Sequence, residues 1–338
     1  MNFLFVMDLA VNGEVYLDQC RPAPTNPSGG RVLSIQSHTV HGYVGNKSAV
    51  FPLQLLGFDV DPVNSVQFSN HTGYGEFAGQ VLGGSELDTL IDGLGNIGAY
   101  PLYTHMLTGY IGSTTFLKAV LNTISKIRKV NPDLIYLCDP VLGDNGKLYV
   151  PEDLVRVYRE EVLCCATILT PNQFECELLT GIKINCRSDA LKACRSLHSK
   201  GVAVVLLTSL DLDKGTGNSL VLMVSKDTSN GKEAFELSVP KLNGYFTGTG
   251  DLIASNFLAW YYRYPDNIPL ALELAASTVQ GVLVNTIEYA KEHPPSSLVG
   301  KGRGNPPPEL RLVQSKRQIE APKIIARAKR IDLASTSS

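Results

Sequence analysis

From Arg31 onward the chain alternates short apolar runs with longer amphipathic stretches, and this alternation constrains its fold more than any other feature. A strand buried on both faces reads as a continuous apolar run, whereas a helix lying on a sheet shows an apolar stripe every three to four residues. Their regular succession predicts an α/β fold with a mostly parallel central sheet flanked by helices on both faces. Strands are predicted at Arg31–Gln36, Phe58–Gln67, Tyr103–Thr108, Leu134–Asp139, Thr167–Leu169, Val202–Ser209 and Ser219–Val224. Helices are predicted at Lys47–Leu56, Ser85–Leu94, Ser113–Val130, Glu152–Glu161, Gln173–Leu179, Ser188–Lys200, Asp251–Tyr264 and Pro269–Lys291. The 338 residues suffice for one large domain of this kind, with 44% hydrophobic and 18% charged residues supporting a sizeable core.

Composition narrows the partner classes. A net charge of -2 removes the electrostatic case for a nucleic-acid binder. No apolar run approaches the roughly 18 residues of a spanning helix, so no membrane partner is expected. Seven cysteines without a CxxC pair fit a reducing, cytoplasmic compartment, in which the sequons at Asn46 and Asn70 carry no meaning. Residues 1–30 form a separate extension ending in the linker-like RPAPTNPSGG, and 31–338 form a single domain. Disorder is expected for the extension, which lacks the marks of a signal or transit peptide. The Pro-rich stretch 294–308 reads as a surface loop, and the basic run Lys316, Arg317, Lys323, Arg327, Lys329 and Arg330 as a solvated surface.

Ligands of open α/β sheets collect beyond the carboxyl ends of the strands. The loops there are SHTVHGYVGN, SNHTGYG, GYIG, DPVLGD and TPNQFE, five polar segments predicted to open onto one rim. The segment FTGTGD, Phe246–Asp251, runs directly into a helical stretch. Gly248 and Gly250 permit a tight turn that leaves the N–H groups of Thr249, Gly250 and Asp251 free at a helix start, where the helix dipole favours an anion such as a transferring phosphoryl group. Asp251 can accept a proton from an attacking hydroxyl or act as a helix cap. GxxxxGK[ST] is absent, which excludes a P-loop enzyme. GLGNIG at Gly93–Gly98 follows a predicted helix instead of a strand and lacks the later acidic residue, so no dinucleotide site is expected there. His38, His41 and His71 lack metal-ligand spacing and can serve either substrate contact or structure.

The motifs RVLSIQSH, GYVGN, PLQLLGFDVDPVNSVQFSNHTGY, LTGYIG, CDPVLGD, YVPEDL, TPNQFE and FTGTGD, in this order from Arg31 to about Lys323, resemble the pyridoxal kinases of the ribokinase-like superfamily. The resemblance implies transfer of the γ-phosphoryl group of ATP to the 5′-hydroxymethyl of pyridoxal, pyridoxine or pyridoxamine, the vitamers of B6. It implies Asp251 as catalytic base and Gly248, Thr249 and Gly250 as an anion hole. Ser37 and Thr72 match contacts to the ring substituents, and Val44, Val66, Phe68 and Tyr110 match apolar walls. Asp144, Tyr149, Asn172, Glu175, Thr208, Ser209 and Asn243 match nucleotide-side positions, together with Thr249 and Gly250. Asp139, Asp144, Asn172 and Glu175 match the cluster that organises magnesium, and Asp139 with Thr170 matches the ligands of a monovalent cation, expected to be potassium. A homodimer is implied as well. The compact NGKL segment after Asp144 implies a small flap over the nucleotide. Asn256 and the pair Cys164–Cys165 depart from the apolar residues of relatives. A kinase of another hydroxymethyl heterocycle, such as the pyrimidine precursor of thiamine, and a binding-only protein are the alternatives.

Overall fold

The computed structural model describes residues 24–26, 29–212, 217–228, 231–293 and 308–332. Its strands are β1 (Arg31–Thr39), β2 (Asp59–Phe68), β3 (Gly79–Val81), β4 (His105–Thr108), β5 (Ile135–Cys138), β6 (Gly143–Asp144), β7 (Lys147–Leu148), β8 (Ile168–Leu169), β9 (Val204–Leu210), β10 (Ser219–Thr228), β11 (Gly231–Pro240) and β12 (Lys329–Arg330). Its α-helices are α1 (Asn46–Leu55), α2 (Gly84–Asn96), α3 (Thr114–Arg128), α4 (Glu152–Val157), α5 (Gln173–Thr180), α6 (Arg187–Ser199), α7 (Thr249–Arg263), α8 (Ile268–Glu292) and α9 (Lys316–Glu320). Among the described residues, ten strands form one sheet in the order β12-β11-β10-β9-β8-β5-β4-β1-β2-β3. The six strands from β9 to β2 pair in parallel, while β3 and β10–β12 are antiparallel additions at the two edges.

Side-chain alternation along the central strands divides the core between the two faces. Leu33, Met106, Tyr136, Leu169 and Leu207 point to one face, under residues of α2–α6. Val32, Leu107, Leu137, Ile168 and Leu206 point to the other, under α1, α7 and α8. Each fully buried aliphatic side chain of this kind stabilises the fold by about 1.5–3 kcal/mol relative to an exposed one. Helix α8 revises one reading of the sequence: it is long and apolar enough to cross a membrane, with a mean hydropathy of 1.4 over its best window. Two-thirds of that window is buried inside the molecule, which marks a core helix instead.

Boundaries differ from the sequence expectations mainly at edges. β11 was not predicted, because Lys232, Glu233 and Glu236 interrupt its apolar positions and only one face is covered. The expected helix Glu152–Glu161 is α-helical to Val157 and continues as a π-helical turn to Val162. GLGNIG lies in the last turn of α2 and the loop after it, so it is part of a helix end and not a strand–helix turn. Asn46 is buried and donates to Val63 O at 2.9 Å and Asn64 Oδ1 at 2.8 Å, so its sequon is a structural polar knot. The loop expected at 294–308 lies, up to residue 307, outside the described residues, as does the extension through residue 23. The backbone N–H of Thr25 donates to Arg263 O at 2.9 Å, placing residues 24–26 against the end of α7.

Candidate active site

The segment before α7 bends at Gly248, whose φ of 79° lies in the left-handed region that favours glycine. A Cβ there would come within 2.1 Å of Tyr43 O, so the turn packs backbone against backbone on the β1–α1 loop. The first intrahelical bond of α7 runs from Leu252 N to Gly248 O at 3.1 Å, which leaves the amides of Thr249 and Gly250 without helical acceptors. Asp251 stands one residue further on and accepts the Gly45 N–H at 2.7 Å. Burial raises the Asp251 carboxyl to about 6, against the lowering effect of the Gly45 amide and of its own. That value suits a group which must exchange a proton near neutral pH.

The substrate-side loops close around the same carboxylate. The register of β1 against β2 slips between Gln36 and Ser37, so that Ser37 pairs with Val66 and Thr39 with Phe68. The extra residue, Ser65, donates its hydroxyl to Tyr110 O at 3.1 Å, fixing the segment after β4 beside β2. A Cβ on Gly45 would lie 2.4 Å from Ser37 Oγ, and one on Gly109 would lie 2.6 Å from Gln36 Oε1 and 3.3 Å from Asp251 Oδ1. Ser37, Gly45, Gly109 and Asp251 therefore form one cradle. Val66 is buried, Val44, Phe68 and Tyr110 are half-buried, and Thr72 is exposed at the start of a single 3-10 turn.

Opposite lies an acidic wall. A Cβ on Gly250 would be 3.5 Å from Asp139 Oδ2, which places the α7 turn against the end of β5. Asp139 is buried, its Oδ1 accepts from Thr170 Oγ1 at 3.3 Å, and its Oδ2 has no hydrogen-bond donor among the described residues. Burial, then the carboxyls of Glu175 and Asp251, push Asp139 well above the usual range. Burial lifts Glu175 to about 8 although backbone amides lower it. The orphaned oxygen of buried Asp139 is the donor here that suits a cation, although among the described residues no group of three or more His, Cys, Asp and Glu side chains is placed to hold a metal ion.

Glu175 and Asn172 also have a structural task that spacing alone did not show. Asn172 Oδ1 accepts from Glu175 N at 2.9 Å and Glu175 Oε2 accepts from Asn172 N at 2.9 Å, a reciprocal capping box that starts α5. Glu175 Oε1 additionally accepts from Leu142 N at 3.0 Å, and Asn172 Nδ2 donates to Gly143 O at 2.8 Å. Both side chains thereby hold the segment leading to a small hairpin, β6–β7, whose turn is Asn145-Gly146 with φ of 49° and 78°. Asp144 lies in β6, and Tyr149 follows β7, its hydroxyl raised by burial and by Tyr245. Thr208 lies late in β9, its N–H bonded to Pro171 O at 3.0 Å, and Ser209 follows it. Asn243 is exposed in the loop between β11 and α7.

The expected residues thus fall on one rim, in two groups joined at the α7 turn. Sequence reasoning did not assign Gln36, Gly45 or Gly109, although all three lie in quoted motifs. It also missed Glu309, which follows the undescribed loop and reaches into the site. Its carboxylate accepts from Tyr43 N at 2.9 Å, Tyr74 Oη at 2.7 Å and His71 Nε2 at 3.1 Å. A single Glu after PPP offers no signal of such a contact.

A glycine-turned helix start with free amides, a carboxylate beside it and an acidic wall at the ends of parallel strands fit a kinase of small hydroxylated molecules. The family model for phosphomethylpyrimidine kinase matches residues 103–297. Pyridoxal kinase of Arabidopsis thaliana is 53% identical over 306 residues, spanning 89% of this chain and 94% of the plant protein. That of Homo sapiens is 46% identical over 310 residues, covering 88% and 97% of the two chains. The solved structure of Leishmania donovani pyridoxal kinase in complex with ADP and pyridoxamine superposes with a TM-score of 0.80 at 34% identity, covering 89% of this chain and 99% of that one. The chain belongs to the pyridoxal kinase family.

Proposed function

We propose that Asp251 is the base that orients the 5′-hydroxymethyl of a B6 vitamer and accepts its proton while the γ-phosphoryl group of ATP is transferred to it. The observation that carries this reading is the 2.7 Å bond from Gly45 N–H to Asp251 Oδ2, which ties the start of α1, packed on Ser37, to the start of α7. The amides of Thr249 and Gly250 lie two residues and one residue before that carboxylate, where they can receive the charge of the transferring group. Ser37 and Thr72 hold the ring substituents, and Val44, Val66, Phe68 and Tyr110 bury its faces.

On the opposite side, Asp144, Tyr149, Asn172, Glu175, Thr208, Ser209 and Asn243 line the nucleotide. Asp139, Thr170 and Glu175 hold the cations, magnesium accompanying ATP and potassium as the monovalent ion. A bound divalent ion supplies positive charge to the phosphate oxygens during transfer. The residues themselves position and desolvate, which is most of what phosphoryl transfer requires from a protein. Relatives named pyridoxal kinase, 53% and 46% identical over nearly nine-tenths of the chain, favour pyridoxal over a thiamine-type pyrimidine as the acceptor. The six described cysteines are free thiols, consistent with action in the cytoplasm, and the family resemblance supports a homodimer.

Replacing Asp251 by Ala or Asn is expected to lower kcat with pyridoxal by about 10²–10⁴-fold, the range of a positioned base, with the KM for ATP within about twofold of wild type. A coupled ATP assay on purified protein measures both. Undiminished turnover in either variant would remove Asp251 from this role.

A further inference from the structure

The carboxylate of Glu309 sits where two loops of the site meet, the one after β1 and the one after β2, and its partners belong to those loops. It accepts from the Tyr43 N–H, the Tyr74 hydroxyl and the His71 ring, while Gly42, at a φ of 93°, leaves it room: a Cβ there would lie 2.6 Å from each of its oxygens. His71 is buried, and its Nδ1 accepts from Gly73 N at 3.2 Å, which puts the proton of the neutral ring on Nε2. The same Nε2 is 3.2 Å from Thr247 Oγ1, next to the glycine that turns the chain into α7. Glu309 itself is held from behind. Leu310 and Leu312 are buried in the core beneath α8, and Arg311 N donates to Thr286 Oγ1 at 3.0 Å.

We propose that Glu309 is a positioning residue for phosphoryl transfer, fixing the vitamer-side loops at Tyr43, His71 and Tyr74 and, through His71, the Thr247 end of the anion-binding turn. The inference rests on the vitamer-kinase reading above. Tyr43 precedes Val44 and His71 precedes Thr72, so one carboxylate sets the backbone beside two proposed vitamer contacts. Without it, two backbone or side-chain donors and an imidazole N–H lose their acceptor in a partly buried site, and the loops must rearrange to find others. The anchoring of this segment in the core is the work of the leucines, so the carboxylate is separable from the fold.

The test compares Glu309→Ala, Glu309→Gln, Tyr74→Phe and the double variant Glu309→Ala/Tyr74→Phe in the full chain, measuring kcat and KM for pyridoxal and for ATP together with the melting temperature. Expected for Glu309→Ala is a rise of about tenfold or more in the KM for pyridoxal, with the KM for ATP within about twofold of wild type. Glu309→Gln, which keeps one acceptor oxygen, recovers part of the loss. Tyr74→Phe has a smaller effect that vanishes in the Glu309→Ala background. An unchanged pyridoxal KM in Glu309→Ala, an equal loss toward ATP, or fully additive effects in the double variant would overturn the inference. Should Glu309→Ala fail to fold, an unchanged pyridoxal KM in both Glu309→Gln and Tyr74→Phe would overturn it as well. Wild-type protein that turns over no vitamer would instead sink the underlying reading of the site.

Discussion

The base role proposed for Asp251 needs two properties, a fixed direction and an affinity for the proton. The Gly45 amide supplies the first, and burial supplies the second by raising the carboxyl to about 6. The ionised form is the one that can accept a proton, so activity is present above that value and is lost as pH falls through it. A profile of kcat/KM for pyridoxal against pH is expected to show an acid limb with an apparent pKa near 6, reporting the free enzyme. A limb near the ordinary aspartate value of about 4 would mean that Asp251 is solvated where it acts. Asn256, five residues on, departs from the apolar pattern of its surroundings; it is buried, its Nδ2 donates to Leu252 O at 2.9 Å, and its Oδ1 has no hydrogen-bond partner among the described residues.

The elements that build the site are turns held by close backbone approach. Gly248 is set against Tyr43 O and Gly45 against Ser37 O, each leaving a Cβ only 2.1 Å from a backbone oxygen. Changing Gly248 to Ala is expected to lower kcat/KM by at least about tenfold and to destabilise the fold by about 1–3 kcal/mol, since a left-handed residue gains a Cβ with nowhere to go. Kinetics and urea unfolding read the two effects, and near-wild-type values in both would show that the turn can shift without loss. Such turns explain what was legible beforehand. FTGTGD announced itself because glycines flanking a helix start have few uses, and the central strands because their apolar runs are unbroken. β11 was hidden by its charged, half-exposed face, and β3 and β12, short edge strands, carry no periodicity to detect. For Asn172 and Glu175 the spacing could not disclose the capping box, since the same three-residue interval suits a cleft and a helix start. Glu309 was beyond reach because its partners are more than 230 residues away.

At the scale of the molecule, the sheet separates chemistry from stability. The site occupies the carboxyl ends of the strands, and the opposite end holds a buried histidine, His105, packed between the rings of Phe58 and Tyr262. Burial lowers its pKa to about 4. Between about 6.5 and 4 the unfolded chain takes up a proton there that the folded chain refuses, so stability falls as pH falls through this window, by at most about 1.4 kcal/mol per pH unit. His105→Phe is expected to show a shallower decline than wild type in urea midpoints measured from pH 7 down to 4.5. Identical declines would place the proton uptake elsewhere.

The contact of Gly248 with Tyr43 gives the site a fixed gauge. On the proposed reading, this contact stands between the loop assigned to the ring, which carries Val44, and the turn assigned to the phosphates. The reach of the acceptor's side arm is thereby dictated by the polypeptide, so a molecule with the same ring but an arm one carbon longer would seat its ring and still present its oxygen out of line.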